Sequence, residues 1–201
     1  MRASDGVEHV HDLPVPKYVI SREFFDLPVA FSSQGLFVYD FSGDKRRPIP
    51  EYRSGEILSF SAGSNGAKFL RNGWSAQEKW GTWSIGEQSD IALRLTPPAT
   101  GHIRLSVRGI AFVHSGRMDQ HIAVFANGKQ IDNWSYRSGE ELKKFSVDIP
   151  QEMLEDSSIL SLKFVPQTVD SPQQAGVSAD PRRLAFGLVE MTVSPAPEIK
   201  K

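Results

Sequence analysis

Along most of the chain apolar and polar residues alternate with the two-residue period of a half-buried strand, and few stretches repeat apolar residues at helical spacing. In the segment IRLSV, Ile103, Leu105 and Val107 fall on one face, with Arg104 and Ser106 on the other. Phe145, Val147 and Ile149 repeat the pattern, as do Leu160, Leu162 and Phe164. The run 122–126, IAVFA, is apolar on both faces and predicts a strand packed on two sides. It stops at Asn127-Gly128, a pair whose tolerance of positive φ predicts a type I′ hairpin turn, with residues 129–136 returning as the partner strand. Further strands are predicted at 18–24, 36–41, 56–60, 89–95 and, at the end, 183–193. One helical turn is predicted at 151–156, where Pro150 and acidic residues suit a helix start.

Many short strands separated by turn signals predict an all-β fold, a jelly-roll-like β-sandwich of eight to ten strands. Its body is expected over residues 51–195. Residues 1–50 are read as an N-terminal arm with a candidate strand pair, joined through the polar, proline-bearing connector 42–53, SGDKRRPIPEYR. Residues 196–201 are read as a tail, because Pro195 and Pro197 end the last strand.

Composition narrows the function. A chain of 201 residues with no cysteine has no disulfide, Cys-ligated zinc, iron–sulfur cluster or thiol nucleophile. Lys+Arg 23 against Asp+Glu 24 argues against nucleic acid as a partner, since affinity there rests on phosphate neutralisation. No apolar run is long enough to span a bilayer, and MRASDGVEHVHDLPVP lacks the apolar segment of a secretory signal. The expectation is a chain without a membrane span or signal peptide.

Residues 72–86 hold three of the four tryptophans, three glycines and one carboxylate, Glu78. An indole face beside polar side chains is what carbohydrate recognition requires: the ring stacks on the C–H face of a sugar while donors and acceptors meet its hydroxyls. The competing reading is that Trp74, Trp80 and Trp83 plug the sandwich, with the glycines turning the chain around them. Trp74 and Trp80 are an even number of residues apart and Trp83 has the opposite parity, so a regular strand would split them between two faces. At least one is expected in a shallow surface groove and at least one other in the core.

Asp180-Pro181-Arg182 precedes the final strand, and a lone carboxylate among tryptophans needs a partner. Glu78 and Arg182 are therefore expected to form a partly buried pair. Glu78 and Asp180 are also the nominated acids for glycoside hydrolysis, which needs two carboxyls flanking a cleft. Glu8-His9-Val10-His11-Asp12 has metal-ligand spacing but lies in the polar arm and reads as solvated. His114 and His121 read as surface residues. There is no G-x-S-x-G elbow and no phosphate-cradling glycine loop. No catalytic residue, metal or cofactor is assigned.

The pattern Gly73-Trp74-Ser75-x-x-Glu78-x-Trp80-Gly81-x-Trp83-Ser84-x-Gly86, followed near the end by Asp180-x-Arg182-x-Leu184, resembles an uncharacterised β-sandwich domain of bacterial surface-polysaccharide systems. Such domains are often appended to membrane glycosyltransferases. Val124-Phe125-Ala126-Asn127-Gly128 and Ile149-Pro150 resemble galactose-binding-like jelly rolls. Together the likenesses cover about residues 55–194. One departure is Ala185-Phe186-Gly187, where the family has Gly directly after Leu. The resemblance implies an extracytoplasmic accessory domain, periplasmic or at the cell surface, with a glycan as ligand and a membrane glycosyltransferase as partner. Three functions stand open: a noncatalytic carbohydrate-binding or glycan-positioning domain, with Trp74, Trp80, Trp83, Glu78, Asp180 and Arg182 as candidate contacts; a structural or protein-interaction sandwich with no sugar ligand; and a glycan-active hydrolase.

Overall fold

The computed structural model describes residues 48–140, 142–154 and 158–197 with their side chains, and before them the backbone of three strands. By its contacts the chain divides into two compact units, Met1–Pro48 and Ile49–Lys201. In the first, β1 (Tyr18–Ser21), β2 (Val29–Ser33) and β3 (Leu36–Asp40) form an antiparallel sheet in the order β1-β3-β2. β2 is a strand that the alternation did not mark.

The second unit is an all-β, jelly-roll-like sandwich. Its ten described strands are β4 (Glu51–Arg53), β5 (Leu58–Ser59), β6 (Thr82–Ile85), β7 (Ser89–Thr96), β8 (Ile103–Ala111), β9 (Asp119–Ala126), β10 (Lys129–Arg137), β11 (Lys143–Ile149), β12 (Ile159–Pro166) and β13 (Leu184–Pro195). One sheet runs β10-β9-β12-β7-β4, antiparallel except for the parallel β4–β7 pair. The other runs β11-β8-β13-β5, with β6 paired to the first half of β13. The predicted helical turn is a short 3-10 turn, Gln151–Met153.

Alternation puts Ile103, Leu105 and Val107 of β8 inside, opposite Ile122 and Val124 of β9 and Leu160, Leu162 and Phe164 of β12, all buried. Trp134 is 1% exposed, its indole stacked on Phe145 at 4.8 Å between ring centres. Burying a side chain of this size stabilises by about 2–3 kcal/mol relative to leaving it in water. The run 122–126 is not packed equally on two sides. Ile122, Val124 and Ala126 are fully buried, whereas Ala123 and Phe125 face outward, and Phe125 lies under the Lys163 ammonium at 5.6 Å.

The hairpin predicted at Asn127-Gly128 is present, with φ of 45° and 79° at the two residues. Asn127 does more than turn. Its Oδ1 accepts from the Ser161 amide at 2.8 Å and its Nδ2 donates to the Met153 carbonyl at 3.0 Å, fixing the hairpin to β12 and the 3-10 turn.

Two of the links between the sheets bear on the site and on the ends of the sandwich. Residues 70–75 cross from one to the other: Arg71 N donates to Asp90 O at 2.9 Å on the β7 side, then Ser75 N donates to Trp83 O at 2.8 Å on the β6 side. Gly73 makes the crossing with φ 77°, and a Cβ there would collide with the Gln88 carbonyl, so only glycine fits. At the opposite end, the Tyr52 hydroxyl of β4 accepts from Val193 N at 2.8 Å and lies 3.0 Å from Val193 O on β13. Tyr52 thereby ties the first strand of the sandwich to the last.

Candidate functional site

The Trp-rich stretch is a crossover followed by a hairpin. After residues 70–75, Glu78 N donates to Gly81 O at 2.7 Å and turns the chain back into β6. β6 is short and inverted in polarity: Thr82 and Ser84 point inward and are fully buried, while Trp83 and Ile85 point outward. The buried hydroxyls are satisfied. Thr82 Oγ1 donates to Ser75 O at 3.0 Å, and Ser84 Oγ accepts from the Phe186 amide at 2.9 Å.

Trp74 belongs to the core side. Its indole N–H donates to Asp90 O at 2.7 Å, and its ring meets Phe164 edge-on at 6.0 Å. Trp80 and Trp83 stand together, half-buried, with ring centres 5.0 Å apart and planes at 71°. The parity expectation is corrected here. It separated Trp80 from Trp83, but the Glu78–Gly81 turn lies before β6 and breaks the strand on which the count depended. All three indoles are partly buried, and Trp74 is the one packed against the core cluster.

Two contacts hold Trp80. Its indole N–H donates to Glu78 Oε2 at 2.9 Å. Its benzo edge lies over Gly187, where a Cβ would come within 2.7 Å of the ring. Gly187 is therefore the seat for Trp80, and it pairs in register with Trp83 on one side and Ile110 on the other.

Glu78 and Arg182 meet as expected: Arg182 Nη2 donates to Glu78 Oε1 at 3.0 Å, both side chains about one-third exposed. The same guanidinium donates to Asp180 through Nε at 3.0 Å and Nη2 at 2.6 Å, and the Arg182 amide donates to Asp180 Oδ1 at 2.9 Å. The Arg182 side chain holds the Asp180 carboxyl below the usual carboxylate range, and Asp180 in turn raises the guanidinium further. The structure thus brings Trp80, Trp83, Glu78, Asp180 and Arg182 into one connected group and leaves Trp74 behind it. Arg182 Nη1 has no partner among the described residues.

This is poor geometry for hydrolysis. A general acid must hold its proton near neutral pH, which needs a raised pKa. One guanidinium spans both candidate carboxylates, and Asp180 is shifted the other way.

Among the described residues no group of three or more His, Asp or Glu side chains could hold a metal ion, and no helix is long and apolar enough to cross a membrane. His9 and His11 lie outside the described residues. His121 is a surface residue, its side chain 37% exposed beside Asp119. His114 is not: only 11% of its side chain is exposed. Its Nε2 meets Asp170 at 3.1 Å while its Nδ1 accepts from the Gly116 amide, so it fastens loop 112–118 to loop 167–171. Its place in a loop, away from any alternating strand pattern, hid that role. A cleft of about 540 Å³ lies at the other end of the sandwich, walled by Leu95, Pro97, Ala99, Val193 and Pro195. Its polar lining is Ser54, Thr100, His102 and Asp148, the last paired with Arg104 at 2.6 Å, and it holds no indole.

No protein-family model matches the chain, and no curated protein matches it. Solved structures overlap it. The CBM36-1 domain of a multidomain xylanase from the hindgut metagenome of Trinervitermes trinervoides is 11% identical, with a TM-score of 0.40 over 72% of this chain and 100% of that one. A family 35 carbohydrate-binding module from an environmental isolate is 19% identical, with a TM-score of 0.36 over 72% of this chain and 89% of that one. Dimeric latent PorU from Porphyromonas gingivalis is 12% identical, with a TM-score of 0.45 over 79% of this chain and 15% of its own length. At such identities these overlaps transfer no ligand and no site residue to this chain.

Proposed function

We propose that the sandwich is a noncatalytic carbohydrate-binding domain whose contact surface is the Trp80–Trp83 pair with Arg182 beside it. The observation that carries this reading is the packing of two half-buried indoles against each other on an outward sheet face, next to a guanidinium whose Nη1 has no partner among the described residues. The indoles offer apolar faces to the C–H side of a sugar, and Nη1 offers hydrogens to its oxygens. Glu78 and Asp180 hold Arg182 in place, and the two carboxylates together outweigh its single positive charge.

The resemblance in residues 73–86 and 180–184 supports a wider setting. The domain serves a bacterial surface-polysaccharide system outside the cytoplasm, with a membrane glycosyltransferase as partner. A second reading, docking to a protein, is favoured by Met118 and Leu142, 57% and 44% exposed on loops joined by a hydrogen bond from Ser138 N to Met118 O.

Fluorescence titration of the tryptophans with an oligosaccharide panel tests the proposal. Trp80→Ala and Trp83→Ala are expected to abolish the sugar-dependent change while the domain stays folded. Trp74→Ala is expected to lower stability by about 3 kcal/mol. Unchanged binding in both surface variants would overturn the assignment of the surface.

A further inference from the structure

The angle between the two indoles narrows the class of saccharide, an inference that rests on the carbohydrate-binding reading above. Indoles that lie flat on an extended, crystalline polysaccharide face must have nearly coplanar rings, so that several sugar faces in one plane are covered together. Trp80 and Trp83 instead meet at 71° with centres 5.0 Å apart. The contact is T-shaped, the edge of one indole against the face of the other, and the two planes meet as a corner. One plane can lie beneath a sugar ring while the other stands against its edge, and both cannot rest on the same flat surface.

The corner is fixed by its surroundings. For Trp80 to swing into the plane of Trp83, its N–H would have to leave Glu78 Oε2, now 2.9 Å away. The far edge of its ring would also have to leave the space over Gly187, which the missing Cβ keeps open. Glu78 cannot follow the ring, because its other oxygen is held by Arg182 Nη2 at 3.0 Å, and Arg182 is clamped by Asp180 at 2.6 Å. Each link in that chain resists flattening. Trp83 is fixed in turn by β6, whose Thr82 and Ser84 are anchored inside the sandwich.

We propose that this site takes single, soluble saccharide chains, one sugar residue seated in the corner, and does not adsorb to crystalline polysaccharide surfaces. The probes are cellohexaose, xylohexaose and chitohexaose in solution, titrated by tryptophan fluorescence, and suspended microcrystalline cellulose and chitin, assayed by depletion of the full chain from the supernatant. Trp80→Ala and Trp83→Ala are run alongside, with melting temperature as the check on folding. The expected result is saturable binding to at least one soluble hexasaccharide, weakened at least tenfold by either substitution, and no depletion by either solid. Depletion that disappears in Trp80→Ala, with or without soluble binding, overturns the corner assignment and leaves a carbohydrate-binding domain of another kind. Absence of binding to every soluble and solid probe overturns both this inference and the reading on which it rests.

Discussion

Tyr136 is fully buried on β10, and its hydroxyl has no hydrogen-bond partner among the described residues. The ring packs edge-on to Phe145 at 5.1 Å. An unmade hydrogen bond in such a place costs the full desolvation of the group. Tyr136→Phe is therefore expected to leave stability unchanged or raise it by about 1 kcal/mol in chemical denaturation; a loss of that size would reveal a partner for the hydroxyl. Burial, with a smaller contribution from the Glu140 charge, also pushes the Tyr136 hydroxyl up from its ordinary value. The fold holds this phenol neutral, so stability falls as pH rises above the unfolded value of about 10, and the Phe variant should lose less stability in alkali. Asp180 has the opposite sign. Its lowered pKa gives stability that is present above about pH 4 and disappears as the medium becomes more acid. Asp180→Asn should flatten the acid limb of a melting-temperature profile, and an unchanged limb would mean that the Arg182 pair adds nothing. The Glu78–Arg182 contact was legible before any coordinates, because a carboxylate among indoles needs a cation and few cations flank the last strand. The burial of His114 was not, since nothing in residues 112–118 marks Asp170 as its partner.

At the scale of elements, what could be read from sequence follows from how local the cause is. The Asn127-Gly128 turn is set by two adjacent residues, and it was found. β6 was missed because its pattern runs backwards, with Thr82 and Ser84 inside and Trp83 and Ile85 outside. Apolar periodicity assigns such a segment to the wrong face. The hydrogen bonds that pay for this inversion come from Ser75 and Phe186, which periodicity cannot see. Gly187 on β13 offers a direct test of the arrangement. A methyl group there would come within 2.5 Å of Ile110 Cγ1 and 2.7 Å of Trp80 Cη2. Gly187→Ala should lift Trp80 off the sheet and erase the exciton couplet of the paired indoles in circular dichroism. The overpacking should cost about 1–3 kcal/mol. A retained couplet would show that Trp80 is positioned by Glu78 alone.

At the scale of the whole molecule, the buried cluster found among the described residues, from Tyr52 to Val193, lies entirely in the second unit. A chain beginning at Ile49 is expected to fold alone, with one cooperative thermal transition and the same saccharide binding as the full chain. Broad, non-cooperative melting would show that the first 48 residues complete the core. The clamp between Tyr52 and Val193 has a mechanical meaning. A pull applied to the sandwich at Ile49 and Pro195 meets that clamp at once, with the bond from Gly55 N to Val193 O at 2.8 Å and the parallel β4–β7 pair beside it. Tension therefore passes across one end of the fold as shear between neighbouring strands. The indole corner sits over Gly187 in the first half of β13, off that line of force, and would keep its shape while the sandwich is under load.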